Sequence, residues 1–349
     1  MKKWAVAITA VLLLLSGCND KEKANGPKLP EKEEVEEVIQ EEIENELPYH
    51  YPLTGVGSET KTDQRAVAVM INNHPKARPQ SGLNKADIVY EILAEGDVTR
   101  FLAVFQSENP DNMGPVRSAR DYYIDLAKGL DALFIAHGYS EEARELLERD
   151  FVDNLNGMVY EGTLFKRVSF RVAPHNSYIT YKNVLKGAKE KNYSLNQSPP
   201  EFQFLSEEES KSVAGDEANS VMISYSASGV FNSTYEYDES VGKYKRFSNG
   251  DQTIDYETKE PILLDNLFII ETTHQVIDKE AHKEIDLESG GSGYLLQKGK
   301  VMEVEWKNDN GIIVPIRDGE VVPFVQGKTW VNVVPTNPGL QSSVSFNVN

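Results

Sequence analysis

A single cysteine constrains this chain more than any other feature: it stands at position 18, and no cysteine follows it. No disulfide can close within the chain, and no thiolate cluster can hold a metal. A fold for these 349 residues must therefore be held by its apolar core and its hydrogen bonds. With 40% of residues apolar, such a core is within reach, because chains of this size bury most of their unfolded surface. The length accommodates two domains of ordinary size.

The surroundings of Cys18 indicate a compartment. Met1-Lys2-Lys3 is a short basic start, Trp4 to Leu15 is an apolar run too short to span a bilayer in a folded product, and Leu15-Ser16-Gly17-Cys18 follows. This is the lipobox pattern, in which the cysteine thiol takes a diacylglycerol and becomes the mature N-terminus. The expectation is a signal peptide over 1–17, a lipidated Cys18, and a protein anchored on the extracytoplasmic face of the cell membrane. Residues 19–48 then carry eleven Asp and Glu against four Lys, so 18–50 reads as an acidic tether that anionic lipid repels. Within it Val35, Val38, Ile39, Ile43 and Leu47 have helical spacing, read as a charged, partly helical spacer rather than a partner helix.

From 51 to 205, strand-like runs alternate with helical ones. "RAVAVMI" (65–71), "ADIVYEILA" (86–94) and "RFLAVFQ" (100–106) are followed by a helix after Gly114, by "DALFIAHG" (131–138), and by a helix from Ser140 to about Asp150. The pattern predicts an α/β domain, a mixed sheet with helices. After a polar, proline-bearing bridge over 196–215, short alternating runs separated by Gly, Asn-Gly and Asp-Gly signals predict a mainly β domain over 216–340.

Arginine usage carries the functional signal. The formal net charge is −19, yet residues 74–175 hold eight of the eleven arginines and only four lysines. Arginine offers a rigid fork for carboxylate or phosphate, where lysine offers a mobile point charge. Arg144 and Arg149 stand among acids at helical spacing and read as surface pairs. The others lie beside Gly, Pro, Asn or His in expected loops. "GPVRSAR" (114–120) stands out, because Arg117, Ser118 and Arg120 at a helix start would face an anion together with unpaired N–H groups. Asn73, His74, Arg78, Arg100 and His175 complete the candidate ligand-binding set. The competing reading is internal pairing, since Asp87, Glu91 and Glu95 share one face of the strand at 87–95 and could neutralise these cations.

Glu91 and Glu95 are also the candidate acids if the protein cleaves glycans, although about 13 Å along a strand keeps the two from flanking one bond. His74, His137 and His175 have no metal-ligand spacing, and no motif calls for a metal or cofactor. Ser140 follows a strand and precedes two glutamates, the pattern of a helix cap rather than a nucleophile elbow. Tyr235, Tyr237, Tyr244, Phe247 and Tyr256 could stack on sugars or pack a hairpin core. An acidic chain without a basic motif gives no reason to expect direct nucleic-acid binding.

The stretches "INNHPKARPQSGLNKADIVYEILAEGDVTRFLAVF", "GPVRSARDY", "YEYDESVGKYKR" and "QGKTWVNVVP" resemble the YerB-like lipoproteins of Gram-positive bacteria, a family without an assigned activity. The resemblance covers nearly all of the chain after the tether. It implies an N-terminal family domain and a separate C-terminal one, and supplies no catalytic residue. Tyr139 departs from the family's strand-end turn, where glycine precedes the serine. The resemblance also implies association with a Rep/UvrD-type DNA helicase, which the lipobox opposes by placing the two proteins on opposite sides of the membrane. The sequence thus points to a lipoprotein that binds an anionic envelope ligand, peptidoglycan or a teichoic-acid-like polymer, through loop arginines. An envelope glycan-cleaving enzyme and a scaffold for protein partners are the alternatives.

Overall fold

The structure, a computed structural model, describes residues 47–226 and 228–348. The expected signal peptide, Cys18, and the tether up to residue 46 lie outside the described residues. Five strands of the first segment are β1 (Val67–Asn72), β2 (Ile88–Glu95), β3 (Val98–Phe105), β4 (Leu133–Ala136) and β5 (Asn154–Asn156). Its main helices are α1 (Asp121–Gly129), α2 (Glu141–Glu148) and α3 (Tyr181–Lys191). The second segment adds β6 (Ser220–Ile223), β7 (Ser233–Asp238), β8 (Lys243–Ser248), β9 (Asn266–Thr272), β10 (Gly291–Gln297), β11 (Lys300–Asp309), β12 (Ile312–Arg317), β13 (Glu320–Val321), β14 (Thr329–Pro335) and β15 (Val344–Phe346). The mixed first segment and mainly β second segment agree with the sequence reading.

Both segments build one twelve-stranded sheet, in the order β13-β12-β11-β10-β9-β14-β2-β3-β1-β4-β5, with Asp216–Glu217 paired to β11. The joint is parallel: Thr329 of β14 pairs with Ile88 of β2, and Asn332 with Glu91. A second sheet, β8-β7-β6-β15 with short edge pieces, packs over part of the first. Nothing local in either segment announces that the two would share a sheet.

The sheet is covered on both sides, which fits the near-continuous apolar runs of β1 and β2. One side meets α1, α2 and Trp306 through Ile88, Tyr90 and Ile92. The other meets the second sheet and α3 through Val89, Leu93, Phe101 and Trp330. The acidic face of β2 therefore points at protein rather than water. α1 is fixed to the sheet by two buried hydroxyls, with Tyr122 donating to the Leu93 carbonyl and Tyr123 to those of Ile92 and Arg100. Each such bond contributes about 1 kcal/mol and sets where the preceding arm runs.

Candidate functional site

The parallel strands β1, β4 and β5 end at one edge of the sheet, the position at which α/β folds gather ligand-contacting loops. Here the loops at 72–82, 95–100, 114–120 and 167–176 do converge. Asn72 closes β1 opposite Arg100 of β3, and its amide donates to His175 Nδ1 at 2.9 Å. His175 in turn stacks on His74, with ring centroids 4.4 Å apart. Arg171 donates to the carbonyls of Lys76 and Pro79, tying the last loop to the first.

"GPVRSAR" leads into the helix without entering its first turn, and its last residue, Arg120, is the N-cap. Residues 114–120 form an extended arm with several of its N–H groups engaged: Val116 donates to Ser177 O, Arg117 to Met70 O and Ala119 to Gly138 O. The helix begins at Asp121, an acidic residue in the first turn that puts its own carboxylate near the positive end. The chain itself thus supplies a negative charge at the helix terminus where the sequence analysis expects a bound anion.

The arginines divide sharply. Glu95 is clamped by Arg100, which also donates to Ser118 O at 2.7 Å, and by Arg120 at 2.9 Å. Burial alone would raise the Glu95 carboxyl, but Arg100, Arg120 and Arg117 outweigh it and hold the group below its ordinary range. Arg100 and Arg120 are buried and belong to internal pairing, as the competing reading had it. Asp87 takes no arginine; its carboxylate accepts from Ser107 and the Gln106 N–H, and burial raises it. Arg167 pairs with Glu161 and Asn176.

Arg117 differs. It is half-buried, and among the described residues its side chain makes no hydrogen bond and no salt bridge. Burial, and then the nearby Arg120 and Arg167 cations against Glu95, lower its guanidinium from the usual value. Its charge reaches both imidazoles: burial first, then neighbours that include Lys76 and Arg117, lower His74, and burial followed by His74 and Arg117 lowers His175. Arg117, Lys76, His74 and His175 form the solvent-facing part of the cluster. Ser118 keeps its hydroxyl on the His137 carbonyl at 3.3 Å. His137 lies beside Arg167, 3.4 Å from its guanidinium, and is held at 2.6 Å by the Ser177 hydroxyl; burial first, then Arg167, lower its imidazole.

Neither candidate acid is free to act. Glu91 is fully buried and accepts from Asn73, Thr99, Ser233, Arg246 and Trp330, so no substrate oxygen can reach it. Glu95, ionised between two arginines, has no proton to give. These contacts also explain Asn73, which is buried, joins Glu91 to Arg78 and does not face solvent. Arg246 forms a salt bridge with Glu91 at 2.9 Å and lies over the Trp330 ring, its guanidinium carbon 4.7 Å from the centroid. Sequence reasoning assigns Arg246 no role. The signal was present, because "KYKRFS" turns Tyr244, Arg246 and Ser248 to one side, and all three are buried.

Other expectations resolve simply. Ser140 caps α2 by accepting from the Ala143 N–H at 3.3 Å. Arg144 pairs with Glu141 and Glu148, whereas Arg149 lies on the Phe151 ring instead of an acid. Tyr235 and Tyr244 are core residues, and Tyr256 stacks on Phe170 with centroids 4.8 Å apart. A concavity of about 690 Å³ lies elsewhere, lined by Glu271, Glu303, Glu305 and Asp318 against Arg317 alone. Its charge is the wrong sign for an anion.

Two family models match this sequence, "Protein of unknown function (DUF3048) N-terminal domain" over residues 53–194 and the corresponding C-terminal domain over 221–331. The Bacillus subtilis (strain 168) protein "Putative lipoprotein YerB" is 44% identical over 339 residues, covering 96% of each chain. The chain belongs to the YerB-like DUF3048 family. The crystal structure of the YerB protein from Bacillus subtilis superposes with a TM-score of 0.80 at 46% identity, covering 86% of this chain and 99% of that one. No helix among the described residues is long and apolar enough to cross a membrane. The two stretches matched by the family models meet in its central sheet, where Trp330 touches Glu91.

Proposed function

We propose that the protein is anchored through diacylglycerol on Cys18 at the extracytoplasmic face of the cell membrane, and binds an anionic envelope polymer through its loop cluster. Peptidoglycan carboxylates and teichoic-acid phosphates are the ligand class. The observation that carries this reading is Arg117: in a cluster where Arg100 and Arg120 are consumed by Glu95, it alone presents an unpaired guanidinium beside two imidazoles. The buried arginines position the arm, and Arg117 makes the contact.

The test is sedimentation of the protein with purified cell wall at low and moderate salt. Arg117→Ala should weaken binding about tenfold, the size of one charge-assisted hydrogen bond, while Arg144→Ala on the far helix leaves it unchanged. Because His74 and His175 sit below their usual range in the free protein, and an anion raises them, binding should strengthen as pH falls from 7 towards 5. Equal binding by Arg117→Ala and wild type at both salt concentrations would remove the proposal.

A further inference from the structure

The loop at 73–80 has a second side. There it walls a cavity of about 290 Å³ whose opposite wall is the end of β8 and the hairpin after it, residues 246–254. Four side-chain atoms of the residues forming this cavity are buried without a hydrogen-bond partner: Arg78 Nη2, Arg246 Nε, Ser248 Oγ and Gln80 Oε1. An unpaired buried polar group costs about 1–3 kcal/mol, and folded proteins leave few of them. Among the described residues thirteen such atoms occur, so four around one small cavity is a concentration that asks for a ligand.

Charge narrows the ligand. Arg246 is neutralised by Glu91, but Arg78 meets only neutral acceptors, with its Nε on Asn73 O and Oδ1 and its Nη1 on the Val230 carbonyl. The buried groups therefore hold two guanidiniums against one carboxylate, with Asp251 exposed at the rim. Burial, and then the Arg246 cation, lower the Arg78 guanidinium to about 10, which leaves it charged at neutral pH. One negative charge completes the site. Ser248 can donate to that anion, Gln80 Oε1 can only accept, and Pro79 and Ile254 offer apolar surface.

We propose that this cavity binds a small organic monocarboxylate that carries an amide N–H or a hydroxyl beside its carboxylate. The carboxylate meets Arg78 and Ser248, and the adjacent donor meets Gln80. The inference does not rest on Arg117 or on binding to envelope polymers.

N-Acetylalanine has the required groups, so it serves as the probe in thermal-shift titrations of the full-length protein in detergent. A saturable rise in melting temperature is expected with N-acetylalanine, and none with its neutral amide or with inorganic phosphate. Arg78→Met should weaken the apparent affinity at least tenfold and Ser248→Ala several-fold, with Arg117→Ala unchanged. Ser248→Ala carries the test if Arg78→Met does not fold. No saturable shift, an equal shift from the amide or phosphate, or loss of the shift in Arg117→Ala overturns the proposal. So does a crystal soaked in N-acetylalanine that shows only water on the four atoms.

Discussion

At Glu91 five side chains donate to one carboxylate that has no exposed surface, and one of them brings a full positive charge from the second sheet. Removing that charge strands the other. Arg246→Met should therefore destabilise the protein by about 3–5 kcal/mol in urea unfolding, and Glu91→Gln combined with it should recover part of the loss. Additive effects of the two substitutions would show that the pair is not coupled. The contrast with Glu95 lies in access. That carboxylate is also clamped, but it stands at the edge where the loops converge, and its partners shape the arm that presents Arg117.

Between elements, the tightest contact is backbone on backbone. A Cβ at Gly129, the last residue of α1, would lie 2.0 Å from the Gly311 carbonyl oxygen in the β11–β12 turn. Gly129→Ala should cost about 2–3 kcal/mol by overpacking. Gly96→Ala, at a positive φ of 53° but with nothing within 4 Å, should cost only about 1 kcal/mol. Similar urea midpoints for the two variants would mean that the α1 contact is soft. Most elements were legible in the sequence, because β-branched runs such as "VAVMI" and the Ser140 cap carry local signals. Two features were not. The alternation in β2 resembles a strand half open to water, since nothing local announces the sheet that covers Glu91. "GPVRSAR" reads as a helix start because a helix does follow it, whereas its extended path is set by carbonyls of β1 and of residues 138 and 177, distant in sequence. Which arginine stayed unpaired was decided by Glu95, which takes Arg100 and Arg120.

At the scale of the whole molecule, the two segments are expected not to fold apart. β2 lies between β3 and β14, so a fragment ending at residue 205 exposes one full edge of a strand buried on both faces. Fragments 47–205 and 206–349 should each lack a cooperative thermal transition, and co-expression should restore one. A sharp transition in either fragment alone would refute this.

The place of β14 also has a consequence in time. The strand that joins the two halves pairs Thr329 with Ile88, residues far apart along the chain. Everything synthesised before β14 waits as an unlatched edge until that strand arrives. The central joint is thus a slow closure, and while it is open the free edge of β2 can take a strand from another chain.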